Sequence, residues 1–286
     1  MKIAVLGSTG MLGSMLVRYL SQYFQVVATV RGDKLRFQIN NINNVEFRVF
    51  DALNDNLATV ASDCQWIINA IGIIPQRNRY LGYEINSKVP RQIIRQTECP
   101  VIQIATDCVY SGERGNYIEE DTFSPVDDYG NSKLLGEVEA PGMHHLRCSV
   151  VGREPRERYS LLNWFLNQSK RAVVFGYVNH LWNGVTTLHF AKVCRGIIEH
   201  SVSLPHMHHL VPAADSISKY DLLKLFACAY GREDITIKPT QAIQIIHRTL
   251  ATTNAKLNQE LWQVAGYDCP PTIAQMVREL AEYYGG

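Results

Sequence analysis

The amino-acid sequence predicts an α/β protein with a doubly wound, mainly parallel sheet and a smaller C-terminal α+β lobe. Short apolar runs typical of buried strands alternate with helical segments through about the first 150 residues. A glycine-rich turn stands between the first run and the first helix, which is the order of a βαβ unit. Beyond that point the alternation becomes irregular, which indicates a lobe of different construction. The chain of 286 residues is long enough to give both parts a core.

The same patterns predict the individual elements. Strands are expected at residues 2–6, 26–30, 45–50, 66–69, 101–105 and 235–238. Helices are expected at residues 11–22, 83–96, 129–139, 161–167, 219–230 and 272–284, with one more that ends near residue 199. Residues 179–187 are expected to form a polar and aromatic loop that leads into that helix.

A glycine-rich turn follows the first strand and opens the first helix. It comprises Gly7, Ser8, Thr9, Gly10, Met11, Leu12 and Gly13. Glycines allow the backbone to approach a pyrophosphate closely, and free N–H groups at a helix N-terminus bind its oxygens. The spacing is GxxGxxG, which differs from the GxGxxG of many dinucleotide sites. Strand, turn and helix in this order predict a Rossmann-type dinucleotide site, with a purely structural turn as the alternative.

Residues at the ends of the next strands are candidates for the rest of the cofactor site. Arg31 follows the second strand, where an acidic residue usually binds the ribose of NAD, and its guanidinium suits a 2′-phosphate with help from Ser8 or Thr9. The prediction is therefore NADP rather than NAD, with Asp33 counting against it and a solvent-facing Arg31 as the alternative. Asp51 could accept from the adenine amine or cap the next helix. The remaining candidates are Ala52, Asn69, Ala70, Ile71, Gly72 and Asn86.

Tyr129 and Lys133 are one helical turn apart in a predicted helix and share one face. An ammonium at that spacing stabilises a phenolate, so Lys133 is expected to lower the pKa of Tyr129 toward neutrality. Such a tyrosine can give a proton to a carbonyl oxygen or take one from an alcohol. Thr106 is expected at the carboxyl end of a strand, the edge where open α/β sheets bind ligands. The alternative is that Tyr129 covers the core and Lys133 is a solvated charge.

Composition excludes several classes of function. The formal net charge of +1 offers no electrostatic attraction for nucleic acid or an anionic membrane. No stretch reaches the roughly 18 apolar residues of a membrane span. Seven cysteines without a CxxC pair fit a reduced, cytoplasmic protein. The run His206-Met207-His208-His209 lacks accompanying acidic or cysteine ligands, so no metal site is predicted.

Four segments together resemble the extended short-chain dehydrogenase/reductases and, within them, the dTDP-4-dehydrorhamnose reductase group. They are residues 7–13, Thr106-Asp107, residues 129–137 and Leu146-Arg147-Cys148-Ser149. The resemblance implies that Thr106 hydrogen-bonds the substrate carbonyl, that Tyr129 protonates the alkoxide, and that Lys133 binds the nicotinamide ribose. It implies NADPH as hydride donor and a nucleoside-diphosphate 4-keto-6-deoxyhexose as substrate, in deoxysugar and surface polysaccharide biosynthesis. By the same resemblance, Tyr129 and Lys133 also contact the cofactor. A homodimer is compatible with this assignment.

Departures from related families narrow the prediction. Sugar 4,6-dehydratases have Asp and then Glu after this Thr, whereas the second place here is Cys108, so elimination is disfavoured and simple reduction is preferred. In the rhamnose reductases an aromatic residue follows Thr-Asp, whereas this chain has Cys108 there, so the identity of the sugar stays open. The candidate substrate contacts are Cys108, Arg153, Trp182 and Asn183.

Residues 1–150, with about residues 184–204 packing back on them, are expected to form the NADP-binding Rossmann domain, and residues 151–183 and 205–286 the substrate-binding lobe. Two other functions stay open. The first is a nucleotide-sugar epimerase or dehydratase that keeps its NAD bound. The second is a noncatalytic NADP-binding regulatory subunit, because proteins resembling this group serve as the regulatory partner of methionine adenosyltransferase.

Overall fold

The computed structural model describes residues 1–32, 42–74, 79–155, 160–213 and 216–285. The strands within these ranges are β1 (Lys2–Leu6), β2 (Gln25–Val30), β3 (Val45–Val49), β4 (Trp66–Asn69), β5 (Val101–Ala105), β6 (Met143–Arg147), β7 (Val150–Val151), β8 (Val173–Tyr177), β9 (His180–Trp182), β10 (Val185–Thr186), β11 (Met207–His209), β12 (Ile217–Ser218), β13 (Thr236–Thr240) and β14 (Ile246–His247). The helices are α1 (Met11–Leu20), α2 (Ala58–Ala61), α3 (Arg79–Tyr83), α4 (Val89–Gln96), α5 (Asp128–Leu134), α6 (Leu161–Leu166), α7 (Thr187–His200), α8 (Lys219–Ala229), α9 (Ala255–Val264) and α10 (Ile273–Gly285). A π-helical turn, Glu84–Lys88, joins α3 to α4, and a 3₁₀ turn, Asp107–Val109, follows β5.

Seven of the described strands form the main sheet, in the order β11-β6-β5-β4-β1-β2-β3, and every neighbouring pair is parallel. The chain order reverses between β1 and β4. Doubly wound sheets bind ligands at such a reversal, in the crevice outside the carboxyl ends of the strands. The predicted fold class is confirmed.

Helices cover both faces of this sheet because its central strands are apolar on both sides. In β1, Ile3 and Val5 belong to one core, whereas Ala4 and Leu6 belong to the other, as the alternation of side chains along a strand requires. The first core is filled from α1 and α7, and the second from α2 and α4. Burial on both faces explains why these strands are continuous apolar runs in the sequence.

Beyond β6 the described chain forms smaller sheets, in which β7 pairs with β10, β9 lies between β12 and β14, and β8 pairs with β13. Helix α7 packs against α1. The first core continues from α1 through α7 into α8, α9 and α10. The domain boundaries themselves stay a prediction.

Two predicted helices have different bounds. The helix expected over residues 129–139 ends at Leu134, and the following turn brings Gly136 against the π-helical turn. A Cβ on Gly136 would lie only 2.1 Å from the carbonyl oxygen of Asn86, so this contact has no room for a side chain. The helix expected over residues 83–96 begins earlier, at Arg79, and the π-helical turn interrupts it.

Further elements also differ from the prediction. Residues 179–187 were expected to be a loop but contain β9 and β10, which are too short for a clear alternation of polar and apolar residues. Strand β11 was not predicted because its histidines read as polar, although they are buried. Helix α9 was not predicted either, and its Leu261 and Trp262 are fully buried in the first core.

Candidate active site

Glycines shape the turn between β1 and α1. Gly7 has a φ of +78°, a left-handed conformation that favours glycine. A Cβ on Gly13 would lie 2.1 Å from the carbonyl oxygen of Gly7, so the first turn of α1 packs directly on the loop. A Cβ on Gly7 would lie 3.0 Å from the backbone nitrogen of Ile71. The turn therefore also touches the segment after β4 and lies at the point where the strand order reverses.

The N-terminus of α1 opens onto this turn. Its N-cap residue is Gly10, which has no side chain to cap the helix, and the N–H of Gly10 donates to the carbonyl oxygen of Gly7 at 3.1 Å. No capping side chain therefore satisfies the first N–H groups of α1, including those of Met11 and Leu12. Such groups, with the positive end of the helix dipole, suit phosphate oxygens.

The residues expected to bind a 2′-phosphate differ in their freedom to do so. Ser8 is fully buried, and its hydroxyl donates to the carbonyl oxygen of Thr29 at 2.6 Å. That hydroxyl therefore ties the turn to β2 and does not assist Arg31. Arg31 is exposed at the end of β2, and Thr9 is half-buried. Asp33 lies outside the described residues.

Asp51 forms a local turn after β3. Its carboxylate accepts from the N–H of Leu53 at 3.0 Å, and its own N–H donates to the carboxylate of Asp55 at 2.6 Å. Of the two alternatives for Asp51, local capping is thus the contact that the structure shows. Ala52 is half-buried in the same turn and packs at the edge of the second core.

Buried amide side chains hold the segment after β4. Asn69 donates to Oε1 of Gln103 at 2.6 Å and accepts from the N–H of Ile71 at 3.0 Å. Asn86, in the π-helical turn, accepts from the N–H of Ile73 at 3.0 Å and donates to its carbonyl oxygen at 2.8 Å. Asn69 and Asn86 therefore shape the backbone of this wall of the crevice, which includes Ala70 and Gly72.

Thr106 lies at the carboxyl end of β5, as the sequence predicts, and caps the 3₁₀ turn. Its Oγ1 accepts from the N–H of Cys108 at 3.2 Å and donates to Oδ1 of Asp107 at 3.3 Å. Both Thr106 and Asp107 are buried, and burial raises the pKa of the Asp107 carboxyl. The hydroxyl of Thr106 is thus fixed at the ligand-binding edge of the sheet.

Helix α5 lies directly against that 3₁₀ turn. Asp127 caps the helix by accepting from the N–H of Gly130 at 2.7 Å. A Cβ on Gly130 would lie 2.1 Å from the carbonyl oxygen of Cys108, so the approach requires glycine. Because of this close packing, the side chains of Tyr129 and Thr106 form a hydrogen bond.

The electrostatics of Tyr129 differ from the prediction. Burial raises the pKa of Tyr129 above its ordinary value, and the charges of Cys108 and Asp107 act in the same direction, whereas the hydrogen bond with Thr106 lowers it. The expectation that Lys133 lowers this pKa was therefore wrong for the protein alone. Withdrawal from water is the dominant effect, and it favours the neutral phenol.

Lys133 is buried, and its Nζ donates to the carbonyl oxygen of Ile104 at 3.1 Å. Burial lowers the pKa of Lys133 to about 8, and the charge of Glu137 acts in the opposite direction. A Cβ on Gly72 would lie 3.9 Å from Nζ, so the ammonium faces the wall formed after β4. The alternative in which Lys133 is a solvated surface charge was wrong.

A buried polar network that the sequence did not predict lies behind Lys133. Arg147, at the end of β6, is fully buried and forms an ion pair with Glu137. Its Nη1 donates to Oη of Tyr110 at 3.1 Å and to Nε2 of His209 at 2.8 Å. Burial lowers the pKa of His209 to about 4, so the imidazole is neutral and can accept this bond. Strand β6 reads Met-His-His-Leu-Arg, so no apolar run in the sequence marked Arg147 as buried or in need of partners.

Of the four predicted substrate contacts, Cys108 lies beside Thr106 and Tyr129. Its Sγ accepts from Nη1 of Arg248 at 3.3 Å, across 140 positions of the chain. Burial raises the pKa of the thiol to about 12, so the thiol is neutral. Neither Arg248 nor the nearby Lys219 was predicted, because no local pattern brings them to this edge.

The other three predicted substrate contacts have structural roles here. Trp182 is 7% exposed and belongs to the first core. The amide of Asn183 accepts from the N–H of Leu250 at 2.9 Å and donates to its carbonyl oxygen at 2.7 Å. The guanidinium of Arg153 lies 5.0 Å from the centre of the Tyr284 ring. These side chains thus take part in packing and in joining segments, and their roles as substrate contacts stay predictions.

The histidines of β11 take part in internal contacts. Nδ1 of His209 hydrogen-bonds the carbonyl oxygen of Ala251 at 2.8 Å, and Nδ1 of His208 lies 3.5 Å from the carboxylate of Glu119. Across the described ranges, no group of three or more His, Cys, Asp or Glu side chains could hold a metal ion. None of the helices in the part of the chain that the structure describes combines the length and hydropathy of a membrane span.

Replacing Gly13 with alanine is expected to disrupt the turn. The new Cβ would meet the Gly7 carbonyl at 2.1 Å, and overpacking of this kind costs about 1–3 kcal/mol of unfolding free energy. Binding of NADPH should weaken as well, because the N-terminus of α1 must move. Chemical denaturation and fluorescence titration with NADPH measure both effects.

Gly32→Ala is the matched control, because no atom of the described residues lies within 4 Å of a Cβ built on Gly32. It should change stability by less than about 0.5 kcal/mol. Equal stability and equal NADPH affinity for the two variants would contradict the packing described for Gly13.

The parallel sheet, the glycine-rich turn after β1 and the Thr106, Tyr129 and Lys133 side chains at one sheet edge form an arrangement of the short-chain dehydrogenase/reductase type. Residues 1–284 match the family described as the RmlD substrate binding domain, and the chain belongs to that family.

Two curated relatives match part of the chain. The probable low-salt glycan biosynthesis reductase Agl14 of Haloferax volcanii is 30% identical over 142 residues, which are 46% of this chain and 46% of that protein. Methionine adenosyltransferase 2 subunit beta of Danio rerio is 28% identical over 141 residues, 46% of this chain and 43% of that protein. The matched region thus spans about half the length of these relatives.

Solved structures match the whole chain. A dTDP-4-dehydrorhamnose reductase from Bacillus anthracis in complex with NADP has a TM-score of 0.74 and 17% identity, and 99% of each chain is covered. A dTDP-glucose 4,6-dehydratase from the same organism in complex with NAD has a TM-score of 0.77 and 16% identity over 100% of this chain and 96% of that one. At these identities the likeness establishes the fold alone.

Proposed function

We propose that the protein uses NADPH to reduce the 4-keto group of a nucleoside-diphosphate 4-keto-6-deoxyhexose. The observation that carries the proposal is the convergence of three side chains at the carboxyl end of β5. Thr106 is fixed there by the 3₁₀ turn, Tyr129 hydrogen-bonds it, and Lys133 donates to the carbonyl oxygen of Ile104 near the end of the strand. Membership of the RmlD family supports the assignment.

The residues of the crevice fit a dinucleotide. Gly7 and Gly13 make a turn so tight that a Cβ would collide with backbone, and the N-terminus of α1 lacks a capping side chain. Both features suit a pyrophosphate. The exposed Arg31 supports NADP over NAD, and of the two solved structures above one holds NADP and the other NAD.

The geometry suggests how the side chains divide the work. When bound, NADPH supplies the hydride that reduces the ketone carbon. The hydroxyls of Thr106 and Tyr129 lie together, and both can donate to the ketone oxygen once the Thr106 hydroxyl turns its proton from Asp107 to the substrate. Because burial raises the pKa of Tyr129, the phenol keeps its proton near neutrality and can donate it to the alkoxide. The Lys133 ammonium would hold the nicotinamide ribose beside Gly72.

The rate of reduction should fall as the pH rises through about 8. The pKa of Lys133 is lowered to about 8, so its ammonium is present below that pH and is lost above it. The Tyr129 phenol remains protonated over the same interval, because its pKa is raised. A pH profile of kcat/KM for NADPH measures the effect, and a profile that stays level well above pH 8 would contradict the proposed role of Lys133.

Replacing Arg31 with alanine should lower kcat/KM for NADPH about 10- to 100-fold, the value of a charged hydrogen bond to phosphate. NADH lacks the 2′-phosphate, so its kcat/KM should be unchanged. Arg18→Ala, which removes an exposed arginine from α1, is the control and should affect neither cofactor. If Arg31→Ala lowered kcat/KM equally for NADPH and NADH, Arg31 would not select NADP.

A panel of dTDP-, UDP- and GDP-4-keto-6-deoxy sugars tests the function directly. Oxidation of NADPH with one of them is the expected result. Copurified NAD without net NADPH consumption would instead favour an epimerase or dehydratase. The similarity to methionine adenosyltransferase 2 subunit beta favours a second candidate, a noncatalytic NADP-binding subunit, and consumption of no ketone would support it. A homodimer and a cytoplasmic location stay predictions from the sequence.

A further inference from the structure

Two cations of the C-terminal lobe lie beside the candidate active site, and the chemistry above does not use them. Lys219 opens α8 directly after β12, and Arg248 directly follows β14. Strands β12 and β14 flank β9 on opposite sides, where Ser218 and His247 both pair with Leu181. One small three-stranded sheet therefore carries both cations.

Arg248 is fixed against the sheet edge that bears Thr106. Its Nε donates to the carbonyl oxygen of Tyr110 at 3.0 Å and its Nη1 to Sγ of Cys108 at 3.3 Å. Its Nη2 lies 3.9 Å from Asp127, whose side chain is 49% exposed. The thiol is neutral and the carboxylate is largely solvated, so neither offsets much of the guanidinium charge.

Lys219 is half-buried and interacts with Asp107, Cys108 and Arg248. Burial lowers its pKa, Arg248 lowers it further, and Asp107 opposes them. Among the residues that the structure describes, no carboxylate forms an ion pair with Lys219. Burial also raises the pKa of Asp107, which weakens the compensation from that side. A desolvated ammonium next to a guanidinium is unfavourable unless an anion joins them.

We propose that Lys219 and Arg248 together bind an oxyanion of the substrate, next to the ketone that Thr106 and Tyr129 reduce. The position of the ketone rests on the proposed function, whereas the anion site itself does not. A carboxylate on the hexose and the diphosphate of the nucleotide sugar both present paired oxygens, which suit a guanidinium with an adjacent ammonium. Arg248 touches Cys108, two residues after Thr106, so the bound oxyanion would help to select the sugar.

Calorimetric titration with UDP, dTDP, UDP-glucose and UDP-glucuronic acid tests the site without turnover. Lys219→Met should weaken binding of the anion about 10-fold or more, the usual result of removing one partner from a desolvated charge pair. Lys219→Arg should retain most of the affinity. Lys224→Met is the matched control, since Lys224 lies on the same helix and its side chain is 55% exposed; it should bind all four compounds as the wild type does.

The four compounds separate the sources of the oxyanion. If Lys219→Met binds UDP or dTDP more weakly than the wild type does, the site binds the diphosphate. If only its affinity for UDP-glucuronic acid is lower, the site binds a sugar carboxylate. Thermal unfolding is the second readout, because Lys219→Met removes a desolvated charge and should leave the midpoint unchanged or higher. Equal affinities of wild type and Lys219→Met, or no binding of any compound to wild type, would overturn the proposal. Binding that depends on Lys219 without reduction of any ketone would refute the proposed function alone.

Discussion

Tyr129→Phe is expected to lower kcat for ketone reduction about 10²- to 10⁴-fold, the usual contribution of a general acid. The phenylalanine keeps the aromatic ring and its volume, so NADPH affinity and stability should change little. Only the proton donor and the hydrogen bond with Thr106 are removed. Steady-state kinetics with the best substrate of the panel, together with NADPH titration, measures both quantities.

Tyr23→Phe is the control for removal of a phenol hydroxyl. Tyr23 lies after α1, is 45% exposed, and contacts Arg195 at 4.7 Å from its ring centre. The Tyr23→Phe variant should reduce the ketone at the wild-type rate. If Tyr129→Phe retained more than about a tenth of the wild-type kcat, the phenol would not be the proton donor.

Arg147→Met is expected to destabilise the protein by about 3–5 kcal/mol, because it leaves the Glu137 carboxylate buried without its cation. The guanidinium is fully buried, and it also bonds Tyr110 and His209. Its loss therefore removes one hydrogen bond each from Tyr110 and His209, which keep their other partners, in addition to the cation that pairs with Glu137. Chemical denaturation of the variant and the wild type gives the difference in unfolding free energy.

Removal of both charges distinguishes the contribution of the ion pair to stability from the contribution of side-chain packing. The double variant Arg147→Met, Glu137→Leu should recover much of the lost stability, since no charge is then left buried and unpaired. Lys88→Met is the comparison at the surface. Lys88 lies 2.5 Å from the Glu84 carboxylate, but its side chain is 56% exposed. Its removal should therefore lower the free energy of unfolding by less than about 1 kcal/mol. Similar losses for Arg147→Met and Lys88→Met would show that the buried network contributes little.

The parts of this protein that depend on local patterns could be predicted from its sequence. Strands β1, β4 and β5 have the predicted bounds, because buried parallel strands are continuous apolar runs. The turn from Gly7 to Gly13 and the spacing of Tyr129 and Lys133 are likewise short-range features. A position at the end of a strand, such as that of Thr106, follows once the strand is known.

The parts of the protein that depend on contacts between distant residues could not be predicted from its sequence. Arg248 meets Cys108 across 140 positions, and Arg147 meets His209 across 62, so no local spacing reveals either pair. The burial of Trp182 in a short strand was not predicted either, because this residue stands among polar residues in the sequence. The pKa of Tyr129 was predicted in the wrong direction because the spacing to a lysine is visible in a sequence, whereas burial is not.

Transfer of deuterium from the nicotinamide to the sugar tests the central claim most directly. The protein is incubated with NADPH that carries deuterium at the transferable position of the nicotinamide and with the 4-keto sugar that it consumes. Mass spectrometry of the product should then show one deuterium bound to carbon 4, and Tyr129→Phe should slow its appearance. A sugar product without deuterium, or an unchanged ketone with NADPH bound, would contradict reduction at the edge formed by Thr106, Tyr129 and Lys133.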